Sequence, residues 1–155
     1  MKSILTAIVA VSAVSAMAMA ADKPNFSGEW KMNLAKSQFG SSPPLTSYTR
    51  KVTHAEPSFT IQDDQRGGPT GDIGFTIKYT TDGKKTTYDL VGLTMEATAV
   101  WDGDAIVTTS TDAVGLGIAT KGRLTLSGDG KTLTLVFHAE TPGGSQDVTY
   151  VFDKQ

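Results

Sequence analysis

The sequence predicts an all-β chain, an antiparallel up-and-down meander closed into a barrel of about eight to ten strands, with little or no helix after its first twenty residues. Three observations carry this. Apolar side chains fall on alternate positions in segment after segment, the period-2 pattern of a strand with one buried face. All 16 Gly and 6 Pro lie after residue 21 and punctuate those segments at short intervals. Twenty-one of the residues from 21 onward are Thr, which suits a pleated surface and makes poor helix.

Residues 1–20 read as a signal peptide. Lys2 gives a positive start, Ile4 to Val14 is apolar apart from Thr6 and Ser12, and Ala18-Met19-Ala20 supplies the small-x-small cleavage pattern. The apolar run is short for a membrane span of ~30 Å. The mature chain is then a single domain, 21–155, exported to the periplasm of a bacterium or beyond it.

The first strand spans 27–33, with Trp30 and Met32 on one face. Asn33 to Phe39 is the best helical candidate, a turn or two stopped by Gly40 and Pro43-Pro44. The second strand, 46–55, carries Tyr48, Arg50, Val52 and His54 in phase, and Pro57 separates it from the third, 58–64. The Gly-rich segment 65–72 reads as a loop. Strand 72–81 alternates Ile73, Phe75, Ile77 and Tyr79 before the hairpin turn Thr81-Asp82-Gly83-Lys84, since Asp-Gly accepts the positive φ of a primed turn. Strands 85–91, 93–101 and 104–112 follow, the last two joined by Asp102-Gly103. Gly115-Leu116-Gly117 leads to 118–127, the turn Ser127–Lys131 to 132–140, and Pro142-Gly143-Gly144 to 146–153. With one apolar face per strand and no helix to cover it, the sheet must fold onto itself, and a closed barrel also removes its exposed edges. A two-sheet sandwich would need longer connections.

Composition excludes several classes. From residue 21 the charge is 13 Lys+Arg against 16 Asp+Glu, with no basic block for nucleic acid. There is no Cys, hence no disulfide, thiolate metal site or Cys nucleophile.

The opening Phe26-Ser27-Gly28-Glu29-Trp30-Lys31 resembles the first strand of the calycin superfamily, the lipocalins and fatty-acid-binding proteins, and of small exported bacterial proteins called lipocalin-like. The Trp101-Asp102-Gly103 turn, the strand Gly130 to Leu135 and the closing Tyr150 to Lys154 occur in an order comparable to the fatty-acid-binding branch. The resemblance implies a ligand-holding barrel with Trp30 as the plug of its closed end. An arginine packed on that Trp would fit the lipocalin pattern, with Arg50 and Arg123 as candidates. Two departures limit what it implies. The stretch from Asn33 to Thr46 is too short for the helix-turn-helix lid of fatty-acid-binding proteins, and their anion-binding Arg-x-Tyr reads Tyr150-x-Phe152 here.

Enzyme chemistry finds no support. There is no Gly-x-Ser-x-Gly elbow and no phosphate-cradling Gly-x-x-x-x-Gly-Lys. His54 and His138 read as separate rim or surface residues, not a metal pair. Glu96 and Glu140 fall on outward phases, while Asp63-Asp64 and Asp102/Asp104 read as solvated acids. No cofactor is implied. The inward face remains: Phe75, Ile77, Tyr79, Tyr88, Leu90, Leu93, Met95, Ala97, Leu135, Phe137, Tyr150 and Phe152. These apolar walls with a few tyrosine hydroxyls suit a small apolar or amphipathic ligand held by a monomeric barrel, and the small Ala97, Ala99 and Gly122 suggest spare room inside. The alternative is a non-enzymatic interaction or inhibitor module, a solid barrel displaying the 65–72 loop.

Overall fold

The computed structural model describes residues 22–155, so the expected signal peptide, 1–20, lies outside the described residues. Ten strands form one sheet: β1 (Gly28–Met32), β2 (Ser47–Ala55), β3 (Ser58–Gly68), β4 (Gly71–Thr80), β5 (Thr86–Leu90), β6 (Leu93–Asp102), β7 (Ala105–Asp112), β8 (Ala119–Leu126), β9 (Thr132–Thr141) and β10 (Gly144–Lys154). The order is β4-β3-β2-β1-β10-β9-β8-β7-β6-β5, every ladder antiparallel. Sequential strands pair everywhere except between β4 and β5, and β1 pairs with β10 to bring the chain round on itself. The barrel is nearly closed.

The remaining seam lies between β4 and β5, which share no ladder. The expected Thr81–Lys84 hairpin is therefore a turn without a hairpin. Its residues are drawn toward β6 instead, where Asp82 bridges Val100 and Gly83 N donates to Ala99 O. Side chains cover the seam nearer the other end, where the Phe75 and Tyr88 rings lie 6.0 Å apart.

Two other expectations are corrected. The 65–72 segment is mostly strand: β3 and β4 continue to a Gly68–Gly71 pair, leaving Pro69-Thr70 at the tip. Asp72 accepts from Gly67 N at 2.9 Å and pairs with Arg66, which also grips Asp64. The stretch from Asn33 forms a single turn, with Ser37 N donating to Asn33 O, and no helix. It continues as a strap along β10 through a Gln38–Thr149 bridge and a Ser42–Gln146 hydrogen bond. Asn33 N and Gln38 N donate to Val151 O and Thr149 O of β10, so part of the strap's backbone is satisfied there rather than within a helix.

The interior differs between its two ends. At the end closed by residues 22–27, Phe26 inserts from the N-terminal segment and packs against His54, Phe59 and Trp101, each 6.0 Å away between ring centroids. Trp30, Phe59, Ile106, Leu124 and Leu133 are fully buried around it. The other end is ringed by the strap, the β3–β4 tip, Val91-Gly92, the 113–118 loop and Pro142-Gly143. Among the side chains pointing inward there, Phe75, Tyr88, Phe137 and Tyr150 are half-buried, whereas Met95 and Val148 are buried.

Candidate functional site: the barrel interior

Alternation decides which side chains enter the barrel. On β2, Tyr48, Arg50, Val52 and His54 are buried while Thr49, Lys51 and Thr53 are exposed. The register sets Arg50 opposite Asp63 on β3 and opposite Trp30 on β1. Arg50 and Asp63 are thus both inside, at 6% and 2% exposure, an arrangement the apolar-phase reading missed when it took Asp63 for a solvated acid. The pair is bidentate: Arg50 Nε donates to Asp63 Oδ1 and Nη2 to Oδ2, both at 2.7 Å. Tyr48 Oη donates to Asp63 Oδ2 and accepts from Arg50 Nη2, again at 2.7 Å each. The third arm of the guanidinium, Nη1, is buried with no partner.

All 4 tyrosines of the chain face this pair. Tyr48 is fully enclosed, and burial pushes its phenol well above the ordinary value. Burial raises Tyr79 too, helped by Tyr88, and Tyr88 and Tyr150 are raised chiefly by burial. Each therefore stays a neutral hydroxyl across the physiological range. Tyr88 Oη lies 3.0 Å from Ser110 Oγ, and the Tyr150 ring packs 5.4 Å from Tyr48 and 5.9 Å from the strap's Phe39. Burial opposes the charge on Arg50, but Asp63 outweighs it and the guanidinium remains ionised. A charged pair ringed by neutral phenols thus sits inside an otherwise apolar wall.

The residues expected to line the interior separate into two groups. Ile77, Tyr79, Met95, Ala97, Leu135 and Phe152 are buried. Phe75, Tyr88, Leu90, Leu93, Phe137 and Tyr150 point inward but keep contact with solvent, which marks them as the wall of the mouth. The spare room expected beside Gly122 is already taken: a Cβ there would meet Thr108 Oγ1 at 2.7 Å and Leu135 Cδ1 at 3.1 Å. Ala97 and Ala99 are likewise buried to 1% exposure or less, so the small residues accommodate neighbours at the closed end.

Trp30 is buried at the closed end, its Nε1 donating to Phe26 O at 3.1 Å. The cation over its ring is Lys154 Nζ, 5.3 Å from the centroid, and neither candidate arginine takes that place. Arg50 lies 5.5 Å from the Tyr48 and Phe152 rings, and Arg123 sits outside, paired with Asp102. His54 is also corrected, from a rim residue to one with 7% exposure. Its Nδ1 accepts from Phe26 N at 3.3 Å and its Nε2 meets Glu56 Oε1 at 2.7 Å. Glu56 also accepts from Thr81 and from Trp101 Nε1. Burial works against its charge, but these hydrogen bonds prevail and its carboxyl lies below the usual range. The Glu56 hub stitches the closed end shut. His138 stands on the outer face between Asp147 and Glu140, as the alternation predicts. Glu96 pairs with Lys85 on the outside too.

Two depressions of about 490 Å³ each lie away from the mouth. One is bounded by Pro24, Asp104, Arg123 and Gly128 beside the closed end. The other is lined chiefly by outward residues of β1–β3, among them Glu29, Lys31, Lys51 and Gln62. The second also touches Trp30, Arg50 and Asp63, and the Lys51–Glu29 ion pair lies on it. No group of three or more His, Cys, Asp or Glu suited to a metal ion occurs among the described residues.

The barrel is similar to a secretory abundant heat soluble protein from Ramazzottius varieornatus, with a TM-score of 0.61 at 10% identity over 83% of this chain and 94% of that one. It is similar also to zebrafish ileal bile acid-binding protein complexed with cholic acid, with a TM-score of 0.58 at 14% identity, covering 84% and 98%. A fatty-acid-binding protein from Drosophila melanogaster brain gives 0.54 at 13% identity, covering 83% and 99%. The fold is the calycin barrel. At such low identity the likeness concerns the fold, and no protein-family model and no curated protein matches the chain in sequence. Among the described residues of this calycin barrel no helix stands between β1 and β2; the strap with Phe39 occupies that stretch. No helix among them is long and apolar enough to cross a membrane.

Proposed function

We propose that the protein is an exported, monomeric, non-enzymatic carrier that takes a small apolar or amphipathic molecule into the mouth half of its barrel. The observation that carries this reading is the ring of inward-facing yet solvent-accessible side chains, Phe75, Tyr88, Leu90, Phe137 and Tyr150. Apolar surface left solvent-accessible gains ~25 cal/mol per Å² when a ligand covers it. The neutral phenols and the Arg50–Asp63 pair beneath supply the sparse polar contacts that orient such a ligand. Bile-acid- and fatty-acid-binding barrels of the same fold support the class of ligand. Export rests on the leader at 1–20.

The test is a titration with Nile red, an uncharged dye that brightens in apolar surroundings, against two tryptophan variants of β9. Phe137→Trp fills the mouth and weakens binding about tenfold, roughly one RT ln 10 of affinity. Val136→Trp, outward on the same strand, leaves it unchanged. No saturable binding, or equal binding by Phe137→Trp, would overturn the proposal.

A further inference from the structure

The Arg50–Asp63 pair bears on what the carrier accepts, and the inference below rests on the carrier reading above. We infer that the interior selects an uncharged amphiphile with a hydrogen-bond-accepting oxygen, such as a ketone, ester or alcohol, and discriminates against the free carboxylate of the same chain. Asp63 grips the Nε/Nη2 edge of the guanidinium at 2.7 Å on both arms, so the charge of Arg50 is already matched inside the barrel. Nη1 lies on the far side of the guanidinium from that grip and is left as a buried donor without a partner. A buried N–H in that state gains most from an acceptor, and a neutral oxygen supplies one without adding charge. A carboxylate brings a second anion to a site that holds one cation and one anion. It would leave a net negative charge where little water screens it. The surrounding groups offer no relief: Tyr48, Tyr79, Tyr88 and Tyr150 are neutral, and Asp63 and Arg50 are the sole buried acid and buried permanent cation among the described residues.

Three twelve-carbon probes test this by displacing Nile red at pH 8: dodecan-2-one, 1-dodecanol and laurate, each below its aggregation limit. Dodecan-2-one and 1-dodecanol are expected to bind at least about tenfold tighter than laurate, the worth of one hydrogen bond to a charged donor plus the avoided anion. Asp63→Asn keeps the shape and an acceptor for Arg50 but uncovers its charge. Laurate affinity should then rise about tenfold while dodecan-2-one changes less than about threefold. A variant with both groups removed, Arg50→Met with Asp63→Leu, serves if Asp63→Asn does not fold. It should still bind Nile red and lose about tenfold for dodecan-2-one. Laurate binding as tightly as dodecan-2-one to the unaltered protein would overturn the inference and leave the carrier reading standing, as would an Asp63→Asn protein indifferent to laurate. Failure of Nile red and all three probes to bind would overturn both.

Discussion

The two ends of the barrel are built from the same alternation and come out differently. At the closed end, inward side chains meet one another: Phe26, His54, Phe59 and Trp101 form a packed ring cluster, and Glu56 ties His54, Thr81 and Trp101 together beneath it. At the mouth, Phe75, Tyr88, Phe137 and Tyr150 occupy equivalent inward positions on their strands and pack against the core on one side, but stay half-exposed to solvent. The extra ring at the closed end comes from outside the barrel ladder, since Phe26 belongs to the segment before β1. At the mouth the segment between β1 and β2 contributes Phe39, which packs on Tyr150, and the buried Leu45. The first segment buries its ring completely, while the rings around the mouth stay half-exposed.

That contrast predicts unequal costs for equal truncations. Phe59→Ala should destabilise the fold by about 3–5 kcal/mol, since a fully buried ring leaves a cavity. Phe137→Ala should lose only about 1–2 kcal/mol, the transfer energy of a half-exposed ring, and affect binding more than folding. Chemical denaturation of both variants checks the pair. Equal losses would place a packed core at both ends.

At the junction of the two halves, Arg50→Met alone should cost a similar ~3–5 kcal/mol, because it strands a buried Asp63. Adding Asp63→Leu should recover most of this, leaving about 1–2 kcal/mol for the Tyr48 hydroxyl that loses its partner. A double-mutant cycle reads the coupling directly, and additive losses would contradict it.

A smaller effect sits on the rim. Val91 adopts φ 53° in the β5–β6 turn beside Gly92, a left-handed conformation that is costly for a β-branched side chain, and it is 72% exposed. Val91→Asn should stabilise by about 1 kcal/mol, since Asn-Gly suits this turn. A lowered melting temperature would show that Val91 makes a contact worth more than its strain.

The smallest effect concerns the 113–118 loop. The Asp112 carboxylate accepts the amides of Leu116 at 2.6 Å, Ile118 at 2.9 Å and Val114 at 3.2 Å, and these hold its pKa below the usual value. A lowered carboxyl pKa contributes stability above the ordinary carboxylate range and loses it as pH falls through the lowered value. The amide resonances of Leu116 and Ile118 should move together on acidification, at a pH below that of an exposed aspartate. Movement at the ordinary aspartate pH would refute the loop's dependence on this carboxylate.

Much of this was legible in the sequence, and the exceptions share a cause. Strand positions followed from alternation and from turn residues such as Asp102-Gly103, because both are local properties. The strand ends around 65–72 were not legible, since Gly67 and Gly68 read as loop until the Gly68–Gly71 pairing holds them in a ladder. The aromatic wall was visible in the phases of β4, β9 and β10. Arg50, Asp63 and His54 were in phase with buried neighbours too. Polar identity argued for solvent, and only the cross-strand register that brings Arg50 to Asp63 makes their burial tolerable. A charged residue in phase with Tyr48 and Val52 on one strand, with an opposite charge in phase with Phe59 and Ile61 on the next, was the available signal. Lys154 over Trp30 depended on the β1–β10 closure, which joins the two ends of the chain.

The central claim is that the mouth half receives a ligand and the closed half does not. Side-chain-resolved NMR of the protein titrated with dodecan-2-one tests it most directly. Saturable shifts at Tyr88, Phe137, Tyr150 and the Arg50 guanidinium, with Phe59, Ile106 and Leu133 unmoved, are the predicted result. Shifts confined to the outer face, or a mouth unmoved at saturating probe, would contradict it.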